Sequence, residues 1–294
     1  DDPTMPAAFK LDKHEKVLPT IRIGMLSPLE QNEPIKVSAV KCTYNECKPE
    51  SGDCGTLRRP DEIAPSGEGE VLIYYNRPRT AECLLEIGEP GTYTAKFNVK
   101  YDFNETATFN TVFMREDIAD EILRGGEDPA ERLPPPSATY DNGPLEIKFG
   151  PVELGTIPVT VDLTNNQLSS SIEISVNNRP EWNGEIDEIK ELSLRVPTGV
   201  KLKVPTGTES ESDSSCDFVN KTEGPANTNV PNTYVPNSEV STTDIGTGKK
   251  FRCGLTANAE ELLGGAVWAI GSFDVKLHFT YLTTKTVSVK VEKT

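Results

Sequence analysis

Two long stretches of alternating apolar and polar residues constrain the fold of this chain more than any other feature. Residues 93–113 read YTAKFNVKYDFNETATFNTVF, and residues 273–291 read FDVKLHFTYLTTKTVSVKV. An alternation with a period of two places apolar side chains on one face of a β-strand and polar side chains on the other. The chain is therefore expected to consist of strands that each bury one face.

The two stretches also match each other at an offset of 180 residues, with a short polar pair inside each. Asn104-Glu105 and Thr283-Thr284 have the polarity of turn residues, so the pattern predicts a β-hairpin at the end of each half of the chain. The matched positions are Tyr93 with Phe273, Phe97 with Leu277, Val99 with Phe279 and Tyr101 with Tyr281.

Further correspondences precede the two stretches. Residues 21–37 resemble residues 147–161, and one cysteine precedes each predicted hairpin, Cys83 in the first half and Cys253 in the second. Duplication of one sandwich domain would explain the order, the spacing and the pattern together. We predict an all-β fold of two tandem immunoglobulin-like β-sandwich domains.

The stretches between the strand patterns define the predicted domain organisation. A short helix stopped by Gly125-Gly126 is expected between the domains, followed by a semi-rigid linker that contains three consecutive prolines. An insertion poor in apolar residues is expected to be loose. The predicted ranges are an N-terminal tail or donor strand at 1–16, domain 1 at 17–124, the linker at 125–144, domain 2 at 145–294, and the polar insertion at 205–250.

Six cysteines, an even number without the paired spacing of zinc or redox sites, indicate disulfide bonds and hence export from the cell. Cys216 and Cys253 bracket most of the insertion, and we predict a bond between them. The other four allow three pairings, among which the repeat favours one. The favoured pairs are Cys42 with Cys83 and Cys47 with Cys54.

Net charge and hydropathy limit the classes of partner and the cellular location that can be expected for this chain. A net charge of −16 repels a phosphate backbone, so nucleic acid is not an expected partner. No apolar run approaches the ~18 residues that a membrane-spanning helix needs, so no membrane span is predicted. The chain begins with Asp1 rather than Met, as expected if an export signal had been cleaved. An extracellular or cell-surface location is therefore predicted.

The sequence contains few of the residue arrangements that catalysis requires. Of the two histidines, His14 falls in the predicted tail and His278 in predicted domain 2, and neither lies near a nucleophile elbow or a plausible free cysteine. The sequence contains neither a calcium-binding loop of the EF-hand type nor a glycine-rich phosphate loop. We predict no enzyme activity, no catalytic residue, no metal site and no cofactor.

Four positions are candidates for recognition or modification. Asn104 and Asn220 begin Asn-X-Thr triplets, so glycans are expected at both. Trp182 lies in a turn-rich segment and is predicted either to anchor an interface or to cover the end of a sandwich. Trp268 lies in an apolar stretch, where a core position or a covered edge is expected rather than a docking surface.

The N-terminal segment offers a candidate strand for pairing between subunits. Ala7, Phe9 and Leu11 alternate with other residues before the first domain begins. A free strand of this kind can add to an exposed sheet edge of a neighbour. The alternative is a tail that folds on its own domain or stays without order.

The repeated segments FNVKYDF and LHFTYLT, the run LEIKFGPVELGTIPVTVDL and the cysteine before each hairpin resemble archaeal secreted proteins with tandem immunoglobulin-like domains. The resemblance implies a structural role at the cell surface, as in a filament or surface-layer subunit. The sequence therefore predicts a homopolymer of this chain, a filament joined by strand donation. The alternative is a monomeric adhesin or carbohydrate-binding module that uses Trp182 and the insertion as its ligand surface.

Overall fold

The computed structural model confirms the all-β class: strands in mainly antiparallel sheets dominate, with few helices. It describes residues 9–11, 16–17, 20–23, 35–44, 56–58, 71–73, 79–86, 90–140, 143–150, 158–164, 167–180, 182–203, 216–220, 232–236, 238, 240–242, 245, 248 and 250–293.

The strands are β1 Phe9–Leu11, β2 Lys16–Val17, β3 Thr20–Ile23, β4 Ile35–Tyr44, β5 Thr56–Arg58, β6 Val71–Ile73, β7 Arg79–Glu86, β8 Gly91–Arg115, β9 Ser137–Tyr140, β10 Leu145–Gly150, β11 Val159–Asp162, β12 Gln167–Asn178, β13 Gly184–Arg195, β14 Val200–Leu202, β15 Phe218–Asn220, β16 Thr233–Pro236, β17 Lys250–Ala257 and β18 Trp268–Lys293. The helices are α1 Glu116–Arg124, a 3-10 turn at Pro129–Arg132, and α2 Ala259–Leu263.

The chain forms two units, and neither is a single stretch of sequence. Unit 1 comprises Asp1–Phe103, Glu181–Asp187 and Thr280–Thr294, and unit 2 comprises Asn104–Pro180 and Glu188–Phe279. The chain therefore passes between the units inside β8, β13 and β18, and also between β12 and β13. The two tandem immunoglobulin-like domains, with their predicted ranges, stay a prediction.

In unit 1, β4 pairs antiparallel with β8 from Lys36 opposite Asp102 to Tyr44 opposite Ala95, and its start also pairs with β6. A separate small sheet is organised around β7, which pairs with β2, β3 and β5. Strand β8 alternates buried and less buried residues here as the sequence predicts. Its buried side chains include Tyr93, Ala95, Phe97, Val99 and Phe103.

In unit 2, β12 is the central strand and pairs antiparallel with β10, β11 and β17. Strand β17 also pairs with β14, while β8 pairs with β9 and, in parallel, with β11. Strands β13, β16 and β15 pair in that order. Large side chains fill the core, among them Phe113, Leu145, Leu168, Phe218, Phe251, Phe273 and Phe279.

The prediction of two hairpins is wrong. Strand β8 runs without a turn through Asn104-Glu105, and β18 runs without a turn through Thr283-Thr284. The two long strands are instead hydrogen-bonded neighbours of each other.

Hydrogen-bonded polar side chains between β8 and β18 explain why neither strand turns at its polar pair. In unit 1, Thr284 donates to Asn98 at 2.9 Å and Thr280 donates to Asp102 at 3.0 Å. In unit 2, the Thr108 hydroxyl donates to Asp274 Oδ1 at 2.7 Å. These pairs run in opposite order along the two strands, as an antiparallel ladder requires. Polar residues that are also typical of turns and surfaces thus join β8 to β18.

Glu105 shows most directly why the chain does not turn at Asn104-Glu105. Its side chain is only 3% exposed, and Oε1 accepts a hydrogen bond from the Leu145 backbone N–H at 3.3 Å. A Cβ atom on Gly143 would lie 1.7 Å from the same oxygen, so the glycine leaves the space that the carboxylate occupies. A tight turn would expose Glu105 to solvent, whereas the strand buries it with a partner.

The predicted helix between the halves is confirmed. Helix α1 spans Glu116–Arg124 and ends at Gly125, and Gly126 follows with a φ of 78°. Ala119 packs in a small cluster with Val112, Met114 and Leu133. The helix therefore packs within unit 2 rather than standing free as part of a linker.

The expectation that the whole insertion 205–250 is loose is wrong for its described parts. Strands β15 and β16 lie within it, and β16 pairs with β13. Phe218 is buried against Phe251, with ring centroids 5.9 Å apart, and the Tyr234 hydroxyl accepts from the Leu202 N–H. A few spaced aromatic residues thus anchor a segment whose overall composition is polar.

The predicted bond between Cys216 and Cys253 is confirmed by their Cα separation of 4.3 Å and bonded sulfurs. Cys42 is also disulfide-bonded, and none of the described cysteines is free. The side chains of Cys47, Cys54 and Cys83 lie outside the described part of the structure, so the pairings of Cys42 with Cys83 and of Cys47 with Cys54 stay predictions.

An ion-pair cluster on β12 and β17 leads to a prediction about pH. Glu173 accepts from Lys250 Nζ at 2.8 Å and from Arg252 Nε at 2.5 Å, and its side chain is 14% exposed. Hydrogen bonds from Lys250, and then from Arg252, lower the pKa of Glu173 below its ordinary value. The stabilisation is thus fully present above the ordinary glutamate pKa of about 4.3 and is lost as pH falls through the lowered value.

We expect Glu173→Gln to lower the free energy of unfolding at pH 7 by at most about 1 kcal/mol, because both cations are largely exposed. The difference between the variant and the original protein should shrink when urea unfolding is repeated at pH 3. Glu188→Gln, an exposed glutamate on β13, serves as the control and should change little at either pH. An equal difference at both pH values for Glu173→Gln would contradict the assignment.

Candidate subunit interface

The N-terminal strand lies on an edge of unit 1. Strand β1 pairs in parallel with the end of β18, with Phe9 opposite Val291, Lys10 opposite Glu292 and Leu11 opposite Lys293. In the single chain described here, β1 therefore folds on its own unit, which is the alternative to strand donation named above. Ala7 lies outside the described residues, as do the side chains of Phe9 and Leu11.

The receiving end of β18 has two different faces. Val289 and Val291 are buried, whereas Lys290 and Glu292 point to the exposed side, where Lys290 Nζ lies 2.6 Å from Glu292 Oε1. This strand end therefore contributes apolar side chains to the core while its backbone pairs with β1. Three aligned residue pairs make a small contact, since each backbone hydrogen bond contributes a net ~0.5–1.5 kcal/mol.

Trp182 lies in an aromatic cluster in unit 1. Its ring meets Phe103 edge-on at a centroid distance of 5.7 Å and Tyr281 at 6.2 Å. The Tyr281 hydroxyl donates to the Trp182 carbonyl at 3.1 Å, which fixes the segment before β13. Burial raises the pKa of the neighbouring Tyr101 to about 12, so that tyrosine stays protonated at physiological pH. Trp182 is half-buried, and its predicted role in an interface stays a prediction.

Gly184 packs closely against Tyr281, a member of the same aromatic cluster. A Cβ atom there would lie 2.5 Å from the Leu282 carbonyl oxygen and 2.5 Å from the Tyr281 ring. Only a residue without a side chain lets β13 start this close to β18.

Trp268 contradicts the expectation of a core position or a covered edge. It begins β18 with 41% of its surface exposed, and Ile270 is 56% exposed. The preceding helix α2 ends at Gly264 in the left-handed conformation, with a φ of 55°. The apolar run that suggested a core segment therefore splits: Leu262 and Leu263 are buried, and the residues after the glycines reach the surface.

The two predicted glycosylation positions differ in their surroundings. Asn104 is exposed in the middle of β8, and Thr106 of the same triplet is exposed as well. Asn220 is half-buried at the end of β15, and its following residues lie outside the described part of the chain. Glycans at both positions stay predictions.

Among the described residues, no group of three or more His, Cys, Asp or Glu side chains could hold a metal ion. None of the described helices is long and apolar enough to cross a membrane. His278 is half-buried on β18, and His14 lies outside the described residues.

Comparison of the sequence with protein-family models gives no match, and comparison with curated proteins gives none either.

Proposed function

We propose that this chain is the structural subunit of an extracellular assembly, a filament in which β1 of one copy pairs with β18 of the next. The resemblance to archaeal cell-surface proteins with immunoglobulin-like domains is part of this proposal. The disulfide between Cys216 and Cys253 is compatible with a secreted protein. A rigid strand framework would provide length, and the exchanged strand would provide cohesion.

The observation that carries the proposal is the parallel pairing of β1 with the end of β18. An edge that accepts a strand from its own chain accepts the identical strand from a second copy with the same hydrogen bonds. Exchange of an identical element between protomers is a low-cost route to assembly. A three-residue strand is released easily, because little free energy holds it in its own chain.

The opposed positions of Phe9 and Val291 allow a direct test of exchange. In the double variant Phe9→Cys/Val291→Cys, we expect oxidised assemblies to give a ladder of covalent multimers on a non-reducing gel, because each bond would join two chains. The single variant Phe9→Cys cannot propagate a ladder and is the control. Bonds confined to single chains within assembled particles would refute strand exchange.

Substitutions at Lys10 provide a test that depends on the backbone alone. Lys10→Pro removes the N–H and disturbs the pairing opposite Glu292, so light scattering should show loss of large particles. Lys10→Ala keeps the backbone and should assemble normally. The proposal fails if the original chain remains monomeric, or if a chain lacking residues 1–13 assembles as readily as the full chain.

A further inference from the structure

One face of β18 in unit 2 carries a row of side chains that is apolar at one end and polar at the other. Trp268, Ile270, Ser272 and Asp274 alternate along the strand and therefore share a face. The row is about 20 Å long, at about 3.3 Å per residue. Its first two members are the exposed Trp268 and Ile270 described above, and its last two are polar.

Neighbouring strands hold the polar end of this row in place. Thr108 donates to Asp274 Oδ1, Ser272 Oγ donates to Asn110 Oδ1 at 2.5 Å, and Asn110 Nδ2 donates to Ser137 Oγ at 3.2 Å. Side chains fixed in this way lose little conformational freedom when a ligand binds. The face thus presents oriented donors and acceptors beside an exposed aromatic ring.

A groove of about 320 Å³ runs beside the row. Ile270, Ser272 and Asp274 line it, together with Arg195 and Glu261. The groove therefore combines an apolar contact, a hydroxyl, two carboxylates and a guanidinium. Small-molecule sites commonly combine apolar surface with a few placed polar groups.

The mixture of groups selects a polyhydroxyl ligand. Sugar hydroxyls both donate and accept hydrogen bonds, so they suit a face that offers carboxylate acceptors and the Arg195 donor together. The apolar C–H side of a sugar ring suits the exposed ring of Trp268, which has an apolar face and a polar N–H. A row about 20 Å long favours an oligosaccharide over a single sugar.

Charge selects a neutral ligand. The net charge of −16 and the carboxylates of Asp274 and Glu261 oppose a polyanion. A polycationic ligand would place positive charge against the guanidinium of Arg195, which lines the same groove.

We propose that this face of β18 binds a neutral oligosaccharide, with Trp268 stacking on a sugar ring and Ser272, Asp274 and Arg195 bonding to hydroxyls. The site differs from the Trp182 surface suggested by the sequence, because Trp182 packs in an aromatic cluster. It also goes beyond the structural role, since binding requires only residues of unit 2 within one chain.

Isothermal titration calorimetry of the full chain with maltohexaose, cellohexaose and mannohexaose tests this proposal. We expect saturable binding of at least one, and weaker binding of the corresponding disaccharide. Trp268→Ala should weaken the affinity at least about tenfold, and Arg195→Gln should weaken it independently. Val267→Ala, a truncation at the exposed neighbour of Trp268, is the matched control and should bind normally. The midpoint of thermal unfolding confirms that each variant is folded.

Three results would overturn the proposal. The first is no binding of any of the three hexasaccharides at millimolar concentration. The second is tighter binding of hexagalacturonate or hexalysine, which would assign the groove to an anion or a cation. The third is unchanged affinity in folded Trp268→Ala. Because Lys10→Pro lies outside unit 2, it should lose assembly while retaining oligosaccharide binding, which separates the two proposals.

Discussion

Replacing both Cys216 and Cys253 by alanine is expected to lower the free energy of unfolding by about 4 kcal/mol, judged from the loop-closure entropy of a 37-residue separation. The bond ties the base of the insertion to β17, where Phe218 packs on Phe251. Without it, the residues just before β15 are held by packing and by the two hydrogen bonds between Asp217 and Arg252. Urea unfolding of the original chain and of the double variant measures the difference.

Alanine is chosen because both sulfurs are buried, so that serine would add the cost of burying two hydroxyl groups. The double serine variant should accordingly lose more stability than the double alanine variant. A loss below about 1 kcal/mol in the alanine variant would mean that packing, rather than the cross-link, holds the insertion.

Glu105→Gly is expected to destabilise the protein by about 2–4 kcal/mol, because it leaves the buried Leu145 N–H without its carboxylate acceptor and places glycine inside a strand. The same change distinguishes the strand from the hairpin that the sequence suggested. It would create Asn-Gly, the preferred pair for a two-residue turn, and would be neutral or stabilising at a hairpin.

Two controls separate the causes of this loss. Glu105→Gln keeps an acceptor oxygen and should cost less, and Thr106→Gly places glycine at an exposed neighbour in the same strand. Chemical denaturation should therefore rank Glu105→Gly as the least stable of the three. Stability equal to that of the original chain would contradict the continuous strand.

The alternation of residues 93–113 was enough to predict the buried face of β8, because a period of two leaves few alternatives to a strand. It was not enough to predict where the strand ends. A polar pair inside an alternating stretch has the same appearance whether it turns in solvent or pairs with another strand. Only the partners of Asn98, Asp102 and Thr108 on β18 distinguish the two cases.

The candidate interface was partly predictable for a similar reason. The pattern around Phe9 and Leu11 indicated a short strand, but a pattern in one segment carries no information about which edge receives it. The exposure of Trp268 was missed because an apolar run suggests a core, although Gly264 ends helix α2 in the middle of that run. The buried Glu105 gave no signal, since a glutamate between Asn and Thr is ordinary at a surface.

The routing of the chain through β8 has a practical consequence for work with fragments. Strand β11 pairs with β8 at Val159 opposite Phe113, although the proline-rich segment at 134–136 lies between them in sequence. A polypeptide cut in that segment would place paired strands on separate molecules. Halves expressed alone would each leave an unsatisfied strand edge, and mixing them would be the way to recover the intact structure.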